Sequence, residues 1–151
     1  MLLLAIGRAG QSPEADLVAR YAKRLRPTLR LIELPDGRGS PAEIKRQEAT
    51  ALLAALPAKS LLVMLDQDGE TLDSVGLSAR LAQWQDSGRP LAFVIGGAEG
   101  LDASVRTRAD AALSLGKLTW PHLLARVMLA EQLYRAQAIA AGHPYHRAGR
   151  F

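Results

Sequence analysis

The chain has 151 residues, 48% hydrophobic and 23% charged, with 19 Lys and Arg against 15 Asp and Glu for a formal net charge of +4. Such values exclude a disordered tail, a coiled coil and a low-complexity segment, and the length suits one domain, 1–151, with a single core. The sequence contains no cysteine, which excludes disulfides, thiolate metal sites, iron–sulfur clusters and cysteine nucleophiles together.

Leu2–Ile6 is a continuous apolar run closed by Gly7, the pattern of a strand buried on both faces. No basic segment precedes it, and no apolar run in the chain approaches the roughly 18 residues of a membrane span. A cytoplasmic protein without membrane contact is therefore expected. Ser12-Pro13-Glu14 opens a helix by capping, by a proline in the first turn and by an acid at the positive dipole end. Leu17, Val18, Tyr21 and Leu25 continue it at helical spacing up to Pro27. Leu29–Leu34 reads as a second strand and Pro35–Gly39 as a flexible loop. Ser40 and Glu43 form a capping box, and the helix they start ends at Pro57.

Leu61–Leu65 is a third apolar strand, followed by an acidic loop, Asp66-Gln67-Asp68-Gly69-Glu70. A helix follows from about Ser74 to Asp86, with Leu77, Leu81 and Trp84 on one face. Leu91–Ile95 is a fourth strand running into Gly96-Gly97-Ala98-Glu99-Gly100. Asp102–Ala109 reads as a short helix, Ala111–Leu115 as a fifth strand, and Leu123–Ala141 as a last helix stopped by Gly142. Fully apolar strands alternating with helices predict an α/β domain with a parallel sheet covered on both sides.

The charge is unevenly placed. Residues 1–60 hold 10 basic and 6 acidic groups, residues 61–110 hold 4 and 8, and residues 111–151 hold 5 and 1. A polyanion would meet the two basic ends. In the last helix, Arg126, Glu131, Gln132, Arg135 and Gln137 share no polar face. A helix apolar nearly all round needs cover on more than one side. A second copy of the chain supplies it economically, and the competing reading is that its many alanines tolerate water.

In an open parallel sheet, ligands bind beyond the carboxyl ends of the strands. Gly7–Gly10 lacks the spacing of a dinucleotide fingerprint, and no P-loop is present. The Gly96–Gly100 loop lets main chain turn sharply and a flat ligand approach closely, although a plain strand-to-helix turn has the same composition. The segment Gly116-Lys117-Leu118-Thr119-Trp120-Pro121-His122 mixes a small residue, a cation and apolar side chains. It can clamp an adenine while main-chain groups read its edge, or be a surface loop with one buried Trp. The tail His143-Pro144-Tyr145-His146-Arg147 suits a base and its phosphate: Tyr stacks, Arg binds phosphate and His moves a proton. With no carboxylate at ligand spacing, His122, His143 and His146 do not make a metal site, and none is expected. No nucleophile elbow is present.

Taken in order, Gly96-Gly97-x-Glu99-Gly100-Leu101, Ser114-Leu115-x-x-Leu118-Thr119-x-Pro121-His122, Arg126-Val127, Glu131-Gln132-Leu133-Tyr134-Arg135-Ala136 and His143-Pro144-Tyr145-His146-Arg147 resemble the ribosomal RNA large subunit methyltransferase H family, the smallest SPOUT-class methyltransferases. The resemblance runs from Leu4-Ala5-Ile6-Gly7 through Ile44-Lys45-Arg46 to the tail, and this chain continues past Arg147 through Ala148-Gly149-Arg150-Phe151.

The resemblance implies a SPOUT-type α/β knot, a deep trefoil in a mainly parallel sheet flanked by helices, and a homodimer packed through the knotted region. It implies S-adenosylmethionine as methyl donor, with Leu65, Gly96, Gly97, Leu115, Gly116, Lys117, Leu118, Thr119 and Trp120 lining its site. The substrate it implies is a pseudouridine of 23S rRNA in the assembled ribosome, methylated on N3. Within that frame His143 or His146 is the candidate base, with Glu99 as an alternative. Arg147 holds phosphate or the developing anion, Tyr145 stacks on the target base, and Arg8, Lys45 and Arg46 are outer phosphate contacts. An RNA-binding or ribosome-associated module without catalysis shares the basic ends but has no use for the glycine turn and the 115–120 clamp.

Overall fold

A computed structural model describes residues 1–147; the extension Ala148–Phe151 noted above lies outside the described residues. The elements are β1 (Leu2–Ile6), α1 (Pro13–Ala22), β2 (Arg30–Leu34), α2 (Pro41–Ala54), β3 (Leu61–Thr71), α3 (Ser74–Asp86), β4 (Leu91–Ile95), α4 (Ala103–Arg108), β5 (Ala111–Ser114) and α5 (His122–Ala140). The strands form one sheet in the order β2-β1-β4-β3-β5, and every pairing is parallel. All carboxyl ends therefore lie along one edge.

Alternation along each strand sorts the core into two layers. Leu3, Ala5, Val63, Phe93 and Ile95 face the side covered by α1, α3 and α5. Leu4, Ile6, Leu62, Met64, Ala92 and Val94 face the side covered by α2 and α4. Because both faces are covered, the strands read as unbroken apolar runs.

The helices start where the sequence predicts. Ser12 accepts from the Ala15 N–H, Ser40 and Glu43 close a capping box, and Asp73 and Asp102 cap α3 and α4. Two expectations are corrected. The acidic segment Asp66–Glu70 belongs to β3, whose ladder with β5 is interrupted between Leu65 and Glu70, so that both residues pair with Leu113. α1 ends at Ala22, well before Pro27.

α5 packs against α1, α3 and β4, so the chain itself covers more of this helix than its unpatterned surface suggested. Ser78 donates to the Ala136 carbonyl at 2.7 Å, and Ser74 donates to Gln132 at 2.8 Å, which bind α3 to it. A strip remains: Leu124 is 39% exposed, and Val127 and Met128 beside it are half-buried next to Leu17 and Tyr21 of α1. No helix among the described residues is long and apolar enough to cross a membrane.

Candidate active site

The strand order brings the carboxyl ends of β4, β3 and β5 side by side, and a cleft opens there. It holds about 210 Å³, and its walls are Leu65, Asp66 and Gln67 from β3, Ile95, Gly96 and Gly97 from β4 and its turn, Leu113 from β5, the stretch Leu115, Gly116, Leu118, Thr119 and Trp120, and His122 and Ala125 from the start of α5. Of the nine residues predicted to hold the donor, eight line it; Lys117 points outward, with its ammonium 3.5 Å from Asp68.

Several contacts hold the 115–120 segment in place. Gly116 has φ of 101°, a conformation glycine adopts without strain. Its N–H donates to the Ser114 hydroxyl at 3.1 Å, and the Trp120 indole donates to the Leu115 carbonyl at 3.3 Å. From the opposite wall, the Gln67 amide donates to the Lys117 carbonyl, and the Ser114 hydroxyl lies 3.1 Å from the Gln67 carbonyl. The side chains of Ser114, Gln67 and Trp120 therefore tie the walls together by holding main-chain groups. Leu118 and Trp120 stand at the mouth, 69% and 38% exposed.

One charged group sits in the wall. The Asp66 carboxylate is 8% exposed and pairs with Arg106 of α4. Sequence reasoning saw only an acidic loop here; burial of one acid among exposed neighbours has no signal in composition. His122 and Ala125 were likewise not assigned to the donor site, because the helix start was not recognised as part of a wall.

The tail lies elsewhere. None of His143, Tyr145, His146 and Arg147 lines the cleft of its own chain. The tail folds back on α5 instead. The Tyr145 ring meets Tyr134 edge-on at 4.7 Å, and its hydroxyl donates to Glu131 at 3.0 Å and lies 3.4 Å from the Tyr21 hydroxyl. Burial, together with these two hydrogen bonds, pushes the Tyr145 phenol well above its ordinary range. The Arg135 guanidinium stacks 4.9 Å from the same ring and is held by Glu131 at 2.6 Å. The Tyr145 N–H donates to His143 Nδ1 at 3.1 Å, while Nδ1 of His146 is buried with no partner among the described residues.

The three outer cations lie toward the carboxyl edge of the sheet. Arg8 follows Gly7 at the end of β1 and is exposed. Lys45 and Arg46 lie in the first half of α2, near enough to Asp102 to help lower its pKa, after the hydrogen bonds from Ser104 that lower it most. Asp102 caps the helix that follows the glycine turn. Glu99 is exposed on that turn and does not line the cleft. Among the described residues no group of three His, Asp or Glu side chains is placed to hold a metal.

The family model described as predicted SPOUT methyltransferase matches residues 1–146. A protein of Acidiphilium cryptum (strain JF-5) named ribosomal RNA large subunit methyltransferase H is 64% identical over 148 residues, covering 98% of this chain and 94% of that protein. One of the same name from Gluconacetobacter diazotrophicus is 57% identical over 150 residues, covering 99% of both. A solved structure of the SpoU methyltransferase AviRb from Streptomyces viridochromogenes, in complex with AdoMet, superimposes with a TM-score of 0.49 at 17% identity; the match covers 93% of this chain and 58% of that one. With a family model across almost its full length and relatives of this identity, the chain belongs to the SPOUT methyltransferases.

Proposed function

We propose that this protein methylates 23S rRNA, on N3 of a pseudouridine in the assembled ribosome, with S-adenosylmethionine held between the Gly96–Gly97 turn and the 115–120 segment. The observation that carries the reading is the cleft: two glycine-bearing turns, distant in sequence, converge on one opening at the carboxyl ends of β3, β4 and β5. The residues present fit such a donor, since Leu65, Leu115, Leu118 and Trp120 offer apolar faces for an adenine, and Gly116, whose missing Cβ would face open space, leaves main chain open to close approach. The donor supplies a methyl group already activated on a sulfonium. The protein's part is to align donor and acceptor and to free the acceptor nitrogen of its proton; alignment alone supplies roughly 7–11 kcal/mol in well-oriented reactions.

The acceptor side belongs to the tail and the outer cations. His143 and His146 are the candidate bases, Arg147 the phosphate or anion contact, and Tyr145 the stacking ring. Arg8, Lys45 and Arg46 extend a basic surface along the same edge. Because the tail is docked away from its own cleft, we place it at the cleft of a second copy. The dimer face is the strip of Leu124, Val127 and Met128 on α5 with Leu17 and Tyr21 on α1, which supports an isologous contact. The trefoil knot goes with this assignment, as does a single domain working in the cytoplasm.

Transfer of labelled methyl from S-adenosylmethionine to ribosomes lacking the modification, followed by mass mapping of the nucleotide, tests the reaction. Absence of label, or label on another base, overturns it. Mixed dimers test the tail: a copy truncated after Gly142 and a copy with Gly116→Val are each inactive alone, and mixing them restores activity. Failure to restore assigns the tail to its own subunit.

A further inference from the structure

Glu48 is 4% exposed on α2 and has no part in the roles above. Its Oε1 accepts from the Gly37 N–H at 3.1 Å, while Oε2 is buried with no hydrogen-bond partner among the described residues. A carboxylate oxygen shut away from water without a donor is costly, so its retention calls for an explanation. The neighbour above it supplies one. A Cβ placed on Gly97 would lie 2.9 Å from both Glu48 oxygens and 3.0 Å from the Ile6 methyl. Gly97 does not have a positive φ, so its backbone conformation does not require glycine; the carboxylate and Ile6 beneath it do.

Gly97 lines the cleft and Glu48 does not, so the carboxylate supports the turn from behind. The same side chain reaches the other way to the loop 35–39. There the preceding residue of α2, Gln47, exchanges two hydrogen bonds with the Arg38 main chain, both at 3.0 Å. Two adjacent residues of α2 thus fasten that loop, one turn or less from Lys45 and Arg46.

We propose that Glu48 is a positioning residue of the methyl-donor site: its free oxygen accepts a main-chain N–H of the glycine turn when the donor is bound, and through Gly37 it couples that turn to the 35–39 loop. The inference rests on the donor reading of the cleft. It makes Glu48 act through Gly97 and never touch the donor itself.

Titration calorimetry of the full-length protein with S-adenosylmethionine tests it. Glu48→Gln keeps the volume but replaces the free acceptor by a donor; the dissociation constant rises about tenfold or more, and in methyl transfer the KM for the donor rises while kcat stays within about twofold. Gly97→Ala also weakens donor binding, by pressing on the Glu48 carboxylate, and because both changes act on that one contact, Gly97→Ala with Glu48→Ala loses less affinity than the sum of the two single losses. Wild-type affinity in Glu48→Gln overturns the inference, as does additivity in the double variant. Should Glu48→Gln not fold, the Gly97→Ala pair decides alone. A wild-type protein that fails to bind the donor overturns the cleft reading, and this inference with it.

Discussion

Arg126 of α5 donates from Nη1 to Glu33 at the end of β2, 2.8 Å away and 93 residues earlier in the chain. Its Nη2 donates to the carbonyls of Ile6 and Gly7 at 2.6 and 3.0 Å, and Glu33 in turn accepts from the Ala9 N–H at 2.8 Å. One guanidinium thus binds the start of the last helix to the carboxyl ends of β1 and β2. Burial lowers the Arg126 pKa, and Glu33 works against that shift by favouring the cation.

Removing Glu33 leaves a cation that is 1% exposed with carbonyl partners alone. Breaking an ion pair buried on both sides costs about 3–5 kcal/mol. Glu33 is 27% exposed, so the loss for Glu33→Ala is smaller, about 2–3 kcal/mol in urea unfolding. Arg126→Met also lowers the midpoint, because it takes the donor from the Ile6 and Gly7 carbonyls as well as from Glu33. A Glu33→Ala midpoint equal to the wild type would show that the pair does not hold the helix start.

The two tryptophans have separate environments. Trp84 is in the core, edge-on to Phe93 at 6.0 Å, while Trp120 stands half-exposed at the cleft mouth. Donor binding therefore changes the fluorescence of Trp120 and leaves Trp84 silent. Trp120→Phe abolishes the change, and Trp120→Ala weakens donor binding by roughly 1–2 kcal/mol, about five- to thirtyfold, through lost apolar contact. An undiminished signal in Trp120→Phe would remove Trp120 from the site.

Some of this was legible in the sequence. β1, α3 and β4 have the expected bounds because a doubly covered strand is an unbroken apolar run and Leu77, Leu81 and Trp84 recur on one helical face. The order β2-β1-β4-β3-β5 was not, since strands apolar on both faces carry no mark of which neighbour they take. Composition marked the glycine turn and the 116–122 segment as unusual but left their role open; the family resemblance assigned them to the donor, and their convergence in space follows from that strand order. Glu48, Asp66 and Arg126 read as ordinary polar positions, because burial of a charge depends on partners far along the chain. The tail was recognised by residue type, whereas its docking on Tyr21, Tyr134 and Glu131 depends on α5 lying beside α1.

Acid should destabilise the fold through Asp110. Burial alone would raise its pKa, but Arg89, the Leu62 N–H and Arg108 outweigh it and hold the carboxyl below its ordinary 3.8. Arg89 grips both oxygens, at 2.8 and 3.0 Å, and the Leu62 N–H donates at 2.8 Å, so the carboxylate ties the entry of β5 to β3. A folded pKa below the unfolded one gives stability that is present above the unfolded value and lost as pH falls through the folded one. The urea midpoint therefore drops as pH is lowered through the ordinary 3.8 and below it. Asp110→Asn lowers stability at neutral pH and flattens that acid limb; an unchanged limb would place the acid sensitivity elsewhere.

Ribosome binding should report the basic edge. Arg8 and Arg46 are exposed and Lys45 is half-buried, and these cations sit toward the cleft side of the sheet. If each neutralises one phosphate, its removal lowers the slope of log affinity against log salt by roughly 0.7–0.9. Lys45→Ala with Arg46→Ala therefore reduces the slope by about 1.5, raises the KM for ribosomes and leaves the dissociation constant for S-adenosylmethionine unchanged, since neither side chain lines the cleft. Arg20→Ala, an exposed cation on α1, serves as the control. A slope that falls equally in the control would mean that only net charge matters, and a slope unaltered in the Lys45 and Arg46 variant would take α2 out of the RNA interface.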